Sequence, residues 1–168
     1  MASVLGLDLS RNLSYYTVRA QHRCYQPITP SGIPAAFVCA VAPHFYAVFN
    51  TGKAYDNANP ATFKDRIAQE PTLSEAAKGR FIRAKSASQN GFETLGLFAA
   101  AVASANQAGI KPRTLNIATW GYVGARVAYN LVYVLLGGIP NMHVLRSQMW
   151  NVSMLICLGL FIGAGRKL

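Results

Sequence analysis

Four apolar stretches of near-bilayer length constrain this chain more than any other feature. They are Ile33–Phe49 ("IPAAFVCAVAPHFYAVF"), about Phe92–Gly109 ("FETLGLFAAAVASANQAG"), about Leu115–Gly137, and Gln148–Ala164 ("QMWNVSMLICLGLFIGA"). Crossing a bilayer core takes ~20 predominantly apolar residues, and each stretch comes close to that. A chain of 168 residues with four such stretches is expected to fold as an all-α, integral-membrane four-helix bundle, one domain over residues 1–168. Composition agrees. Charged residues make up 13% and hydrophobic ones 52%, against about 25% charged in soluble domains. The net charge of +10 raises nucleic acid as a partner. The basic residues flank the apolar stretches instead of forming one patch, and bilayer insertion favours that arrangement. The lipid bilayer is therefore the expected partner, and no nucleic acid. Cys24, Cys39 and Cys157 form no CxxC, and two of the three lie inside apolar stretches. They read as small buried hydrophobes, not as a disulfide framework or metal site. The first 30 residues carry no secretory signal pattern.

The connections order the four stretches. "IKPRT" between the second and third leaves room only for a tight helical hairpin. Gly137, Gly138 and Pro140 end the third helix, and Asn141 begins the fourth. Residues 50–75 form the single long polar loop, with "DNANP" at 56–60 as a turn. The segment "SEAAKGRFIRAKSASQN" is rich in helix formers and opens on Ser74, an N-cap residue type. The second helix is thus expected to begin in a basic stem before its apolar part. Lys53, Lys64, Arg66, Lys78, Arg80, Arg83 and Lys85 lie on the loop side, and Arg146 joins them, making eight. Arg11, Arg19, Arg23, Lys111, Arg113, Arg166 and Lys167 make seven opposite. The totals do not separate the sides. The dense loop cluster places that loop in the cytoplasm.

One stretch reads as foreign. The 17 apolar residues of the first segment cover only ~25 Å of a ~30 Å core. "NLSYYTV" upstream looks like the start of the same helix, interrupted by "RAQHRCYQPITPSG". Joining Leu13–Thr17 to Ile33–Phe49 gives 22 residues. Val18–Gly32 therefore reads as a retained short intron or atypical insert. A transcript sequenced as one long product would sink the intron reading.

The third segment carries a polar edge. Tyr122, Arg126, Tyr129 and Tyr133 fall at offsets 0, 4, 7 and 11, one stripe of a 3.6-residue helix. Asn90 and Glu93, three apart, share a face at the entry to the second segment. An ionisable group left in lipid costs a few kcal/mol, so these groups are expected to face a bundle interior or a wet cleft. Two readings stay open. One is an internal ion pair of Glu93 with Arg126, helped by Asn90 and the tyrosine hydroxyls. The other is a polar ligand pocket between helices.

The residues "NGFE", "ARVAYNLVY" and "RSQMW" on successive helices resemble the MAPEG family, the membrane-associated proteins in eicosanoid and glutathione metabolism, and most of all its short fungal members. The resemblance covers about Pro34 to the C-terminus. It implies a four-helix protomer assembled as a homotrimer in the endoplasmic reticulum membrane, multi-pass, with glutathione as co-substrate. The implied activity is that of a glutathione transferase or peroxidase on lipophilic small-molecule substrates. The implied glutathione ligands are Asn90, Glu93, Arg126, Tyr129 and Tyr133. A buried arginine suits a carboxylate, a glutamate suits the ammonium, and tyrosines and Asn90 supply directional hydrogen bonds. Two departures stand against activity. Catalytic members carry an arginine four residues before the asparagine, where this chain has Ser86, beside Lys85 and near Arg83. A second arginine, which activates the thiol, falls in one subgroup seven residues past the second tyrosine, here Pro140. Arg146, followed by Ser147, is the nearest candidate for that catalytic role. A non-catalytic lipid-binding or scaffold protein of the same fold is the alternative.

The remaining features read as structural. His44, after Pro43, is expected at a kink or interface. Trp120 and Trp150 read as membrane-interface or packing aromatics, and Gly159, Gly163 and Gly165 as sites of close helix packing.

Overall fold

The computed structural model describes residues 32–167. Those residues form four long helices and one short one: α1 (Gly32–Thr51), α2 (Phe63–Gln69), α3 (Glu75–Gln107), α4 (Pro112–Leu131) and α5 (Met142–Gly165). A π-helical turn, Val132–Leu136, extends α4. Among the described residues there is no strand. The all-α expectation holds, with α2 as an addition inside the polar loop. Of Val18–Gly32, only Gly32 lies within the described residues, where it opens α1 against Thr119 of α4. The proposed insert otherwise lies outside them.

α1 is 20 residues long, or ~30 Å at 1.5 Å per residue. It reaches bilayer thickness without an upstream piece because polar residues extend it. Asn50 Nδ2 donates to the Tyr46 carbonyl at 2.7 Å, and Thr51 Oγ1 donates to that of Ala47 at 2.9 Å. Pro43 sits inside the helix and has no N–H for the carbonyl of Cys39, four residues back. Asn130 Nδ2 of α4 donates to that carbonyl at 2.7 Å.

α3 begins as expected, with Ser74 Oγ accepting from the Ala77 amide. It packs along α1 most closely at Gly91, where a Cβ would lie 2.8 Å from Ala40 Cα and Cβ. Only glycine admits that approach. Gly109 in the left-handed region, φ 70°, turns the chain into α4. The loop folds as α2 and two 3₁₀ turns. Asp56 Oδ1 accepts from the Ala58 amide, and Asp56 pairs with Arg66 at 2.8 Å. Phe63 and Ile67 of α2 are buried against Phe81 and Ala84 of α3.

Two apolar clusters result. One joins Ala36, Phe98, Leu115, Tyr122, Cys157 and Leu160. The other joins Ala47, Phe63, Ile67, Phe81, Tyr129 and Val134. Tyr122 belongs to the first and Tyr129 to the second, so Arg126 lies one turn from each, between two dry regions. Gly159 and Gly165 meet nothing within 4 Å and Gly163 only the tip of Ile110. Among the described residues, close approach at glycine is made at Gly32, Gly91 and Gly137, not at these three.

Candidate functional site

The tyrosine stripe of α4 runs from core to surface. Tyr122 is 1% exposed, stacked on Phe98 at 3.8 Å, with its hydroxyl donating to Thr94 Oγ1 at 3.2 Å. Arg126 is 3% exposed. Both of its terminal nitrogens donate to Asn90 Oδ1, at 3.1 and 3.0 Å. Its guanidinium lies 4.6 Å from the centre of the Tyr129 ring. The Tyr129 and Tyr133 rings meet edge-on at 5.7 Å. The Arg146 guanidinium of α5 lies over the Tyr133 ring, 4.5 Å from its centre. The order Arg126, Tyr129, Tyr133, Arg146 is thus one continuous chain of cation–π and aromatic contacts.

Its outer end opens into a cleft of about 550 Å³ between α3, the end of α4 and α5. That volume falls within the ~300–1,000 Å³ of small-molecule sites. α3 contributes Ser86, Gln89, Asn90 and Glu93, spaced 3, 1 and 3 along one face. α4 contributes Tyr129 and Tyr133, one turn apart, and α5 contributes Arg146, Ser147, Trp150 and Asn151. The helical period selects all three sets.

Five of the six residues singled out in the sequence meet at this cleft: Asn90, Glu93, Tyr129, Tyr133 and Arg146. Arg126 lies behind Asn90 and Tyr129, away from the lining. The internal ion pair of Glu93 with Arg126 is not formed. Glu93 is exposed and accepts from Gln89 Nε2 at 3.1 Å, one turn back, while Asn90 takes Arg126. With Oδ1 occupied, the group Asn90 can offer a ligand is its Nδ2. Gln89, Ser147, Trp150 and Asn151 were not anticipated as lining residues. Their signal was available, since 147, 150 and 151 fall within one and a half turns of Arg146.

Glu93 and Arg146 are the ionisable carboxylate and cation of the lining, on different helices. Neither forms an ion pair with a described residue. The two other cations near the vacant arginine positions are committed elsewhere. Arg83 Nε and Nη2 donate to the Tyr133 and Val134 carbonyls at 3.0 and 3.3 Å. Lys85 Nζ meets His44 Nδ1 at 3.1 Å, so His44 acts at a helix interface, as expected. Burial holds the Lys85 ammonium below the ordinary lysine value of 10.5. Neither Cys39 nor Cys157 lines the cleft.

The described residues are helical, with a polar cleft between helices and two helices long and apolar enough to cross a membrane, Gly32–Thr51 and Met142–Gly165, an arrangement that suits the class of membrane-associated helical bundles. Within that class, the chain belongs to the MAPEG family, whose model matches residues 33–166. The family is one of membrane proteins in eicosanoid and glutathione metabolism. No protein in a curated set and no solved structure matches the chain.

Proposed function

We propose that this protein is a multi-pass, homotrimeric glutathione transferase or peroxidase of the endoplasmic reticulum membrane. Its substrates are lipophilic electrophiles or lipid hydroperoxides that reach the cleft from the bilayer. The observation that carries this reading is the pairing of Glu93 and Arg146 in one cleft, each without an ion-pair partner among the described residues. Glu93 suits the glutathione ammonium. The Asn90 amide N–H and the Tyr129 and Tyr133 hydroxyls suit its amide and carboxylate oxygens. Arg146 suits the sulfur, because a free thiol has a pKa of ~8.5 and a nearby cation lowers it. The bound thiolate then attacks the electrophile. A sulfur–carbon bond forms, and the leaving group departs with its electron pair. Trp150 gives the cleft an apolar wall for the second substrate.

Calorimetry on detergent-purified protein tests the reading. Wild type is expected to bind glutathione, and Glu93→Gln and Arg146→Gln each to weaken binding by about tenfold or more, the scale of a charge-assisted hydrogen bond. No binding by wild type would defeat the reading. It would favour the second one, a non-catalytic lipid-binding or scaffold protein, for which Ser86 and Pro140 at the usual arginine positions already speak.

A further inference from the structure

A lysine outside the cleft lining has the surroundings of a reactive amine. Lys85 of α3 is half-buried, and its Nζ lies 3.1 Å from His44 Nδ1 of α1. A lysine ammonium has only donors, so His44 Nδ1 is the acceptor, on a neutral imidazole. Tyr55 completes the surroundings, its ring centre 5.9 Å from Nζ and 5.8 Å from the centre of the His44 ring. All these contacts are made within one chain. Burial holds the ammonium below the ordinary value of 10.5 and so raises the share of free amine near neutral pH. The approach is lipophilic. Phe45 lies beside the His44 ring and stacks on Phe49, and both phenylalanines are exposed. Ser86, the next residue of α3, and Gln89, one turn on, line the cleft.

We propose that Lys85 is an acceptor for lipophilic aldehydes, which it holds beside the cleft as a Schiff base, with His44 as its proton carrier. A neutral lysine amine is the nucleophile that carbonyl compounds require. Its lone pair forms an N–C bond, and the carbonyl π pair moves to oxygen. His44 Nδ1 takes a proton from the nitrogen and passes it to that oxygen. The C–O bond then breaks, the nitrogen lone pair closes C=N, and the second amine proton leaves with the oxygen as water. The step needs no oxidant and no glutathione, so it stands or falls apart from the proposed function.

The test is a short exposure of the full chain in detergent to nonanal, then borohydride, which fixes the imine as a secondary amine. Mass spectrometry of the peptides compares Lys85 with the exposed Lys64 and Lys111 in the same sample. Near neutral pH, Lys85 is expected to be modified several-fold faster than either. That ratio should shrink as pH rises towards 10.5, because partition of nonanal does not depend on pH and amine availability does. His44→Gln keeps a hydrogen-bond acceptor but cannot carry a proton, and is expected to slow Lys85 by about tenfold or more with Lys64 and Lys111 unchanged. Lys85 modified no faster than the other two in wild type would overturn the proposal without recourse to a variant. So would a ratio that does not change with pH, the result expected if another copy or the residues outside 32–167 bring a carboxylate to the ammonium. Selective modification unaltered by His44→Gln would overturn the role of His44.

Discussion

Arg126 is buried in an apolar helix because one neighbour answers its charge. Asn90 Oδ1 accepts two of its N–H groups and the Tyr129 ring covers its face. A hydrogen bond to a charged group is worth about 1.5–3 kcal/mol, and an isosteric carboxylate can still accept it. Asn90→Leu is therefore expected to lower stability in detergent by about that amount or more. Asn90→Asp is expected to melt close to wild type and yet bind glutathione less well, having exchanged the Nδ2 donor for a second acceptor oxygen. A melting curve beside a binding isotherm checks both. Asn90→Asp binding as tightly as wild type would remove Asn90 from ligand contact. At this scale the sequence was half legible. The offsets of Tyr122, Arg126, Tyr129 and Tyr133 name a stripe, and the stripe is real. Periodicity fixes a face but not which of two neighbours on the facing helix reaches across. Asn90 does, and Glu93, one turn further along, is left at the surface of the cleft.

Two helices here are repaired from outside where their own backbone hydrogen bonding breaks. Pro43 frees the Cys39 carbonyl and Asn130 supplies the missing donor. The π-turn that ends α4 leaves the Tyr133 and Val134 carbonyls to Arg83. Packing at that second repair is tight, since a Cβ on Gly137 would come within 2.7 Å of Arg83 Cδ and Nε. Asn130→Leu is expected to destabilise by about 1–3 kcal/mol, the cost of a buried carbonyl left unpaired, and Asn130→Gln to destabilise less; equal melting of the two would mean the bond contributes nothing. Arg83→Ala is expected to loosen the π-turn that carries Tyr133, and with it Arg146. Glutathione affinity should then fall by several-fold, with the loss partly recovered in Arg83→Lys, whose single ammonium can reach one of the two carbonyls. Lys85 adds a dependence on pH. Its pKa is lowered in the fold, so between that value and the ordinary 10.5 the unfolded chain binds more protons and stability rises with pH. The melting temperature of wild type relative to Lys85→Met should climb as pH rises towards 10.5, and a flat difference would remove Lys85 from the balance. Helix ends were partly legible at this scale, because Ser74 and the Gly137–Pro140 run are local signals, whereas α4 begins at Pro112, ahead of the apolar stretch read from about Leu115. The π-turn and α2 were not. Both depend on contacts with α3 that no window of sequence contains.

At the scale of the whole molecule, the outer surface decides the environment. Phe37, Phe45 and Phe49 on α1, Ile117, Val127 and Leu131 on α4, and Leu155, Leu158 and Ile162 on α5 are all large, apolar and exposed. Such a surface suits lipid or a neighbouring copy, and not water. Among the described helices, only α1 and α5 are apolar enough along their length to span a membrane by composition. α3 spends its first turns on the basic stem, and α4 carries the arginine and tyrosines of the site, which lowers its hydropathy without exposing those groups. Yet α3 packs along α1 and α4 along α5, so if the outer pair crosses the bilayer the inner hairpin must accompany it. The site is then paired with a topology: the loop at 52–74 and the α4–α5 turn share one side, and the α3–α4 turn and the end of α5 share the other. Single cysteines placed at the exposed positions Asn59 and His143 should react with a membrane-impermeant maleimide from the cytoplasmic side of sealed microsomes, as the cluster of basic residues in that loop predicts. Cysteines at Lys111 and Lys167, also exposed, should react only after the vesicles are opened. Labelling of Lys111→Cys together with Asn59→Cys in sealed vesicles would mean that the α3–α4 hairpin does not cross, and the cleft would then lie outside the bilayer, out of reach of a substrate dissolved in it.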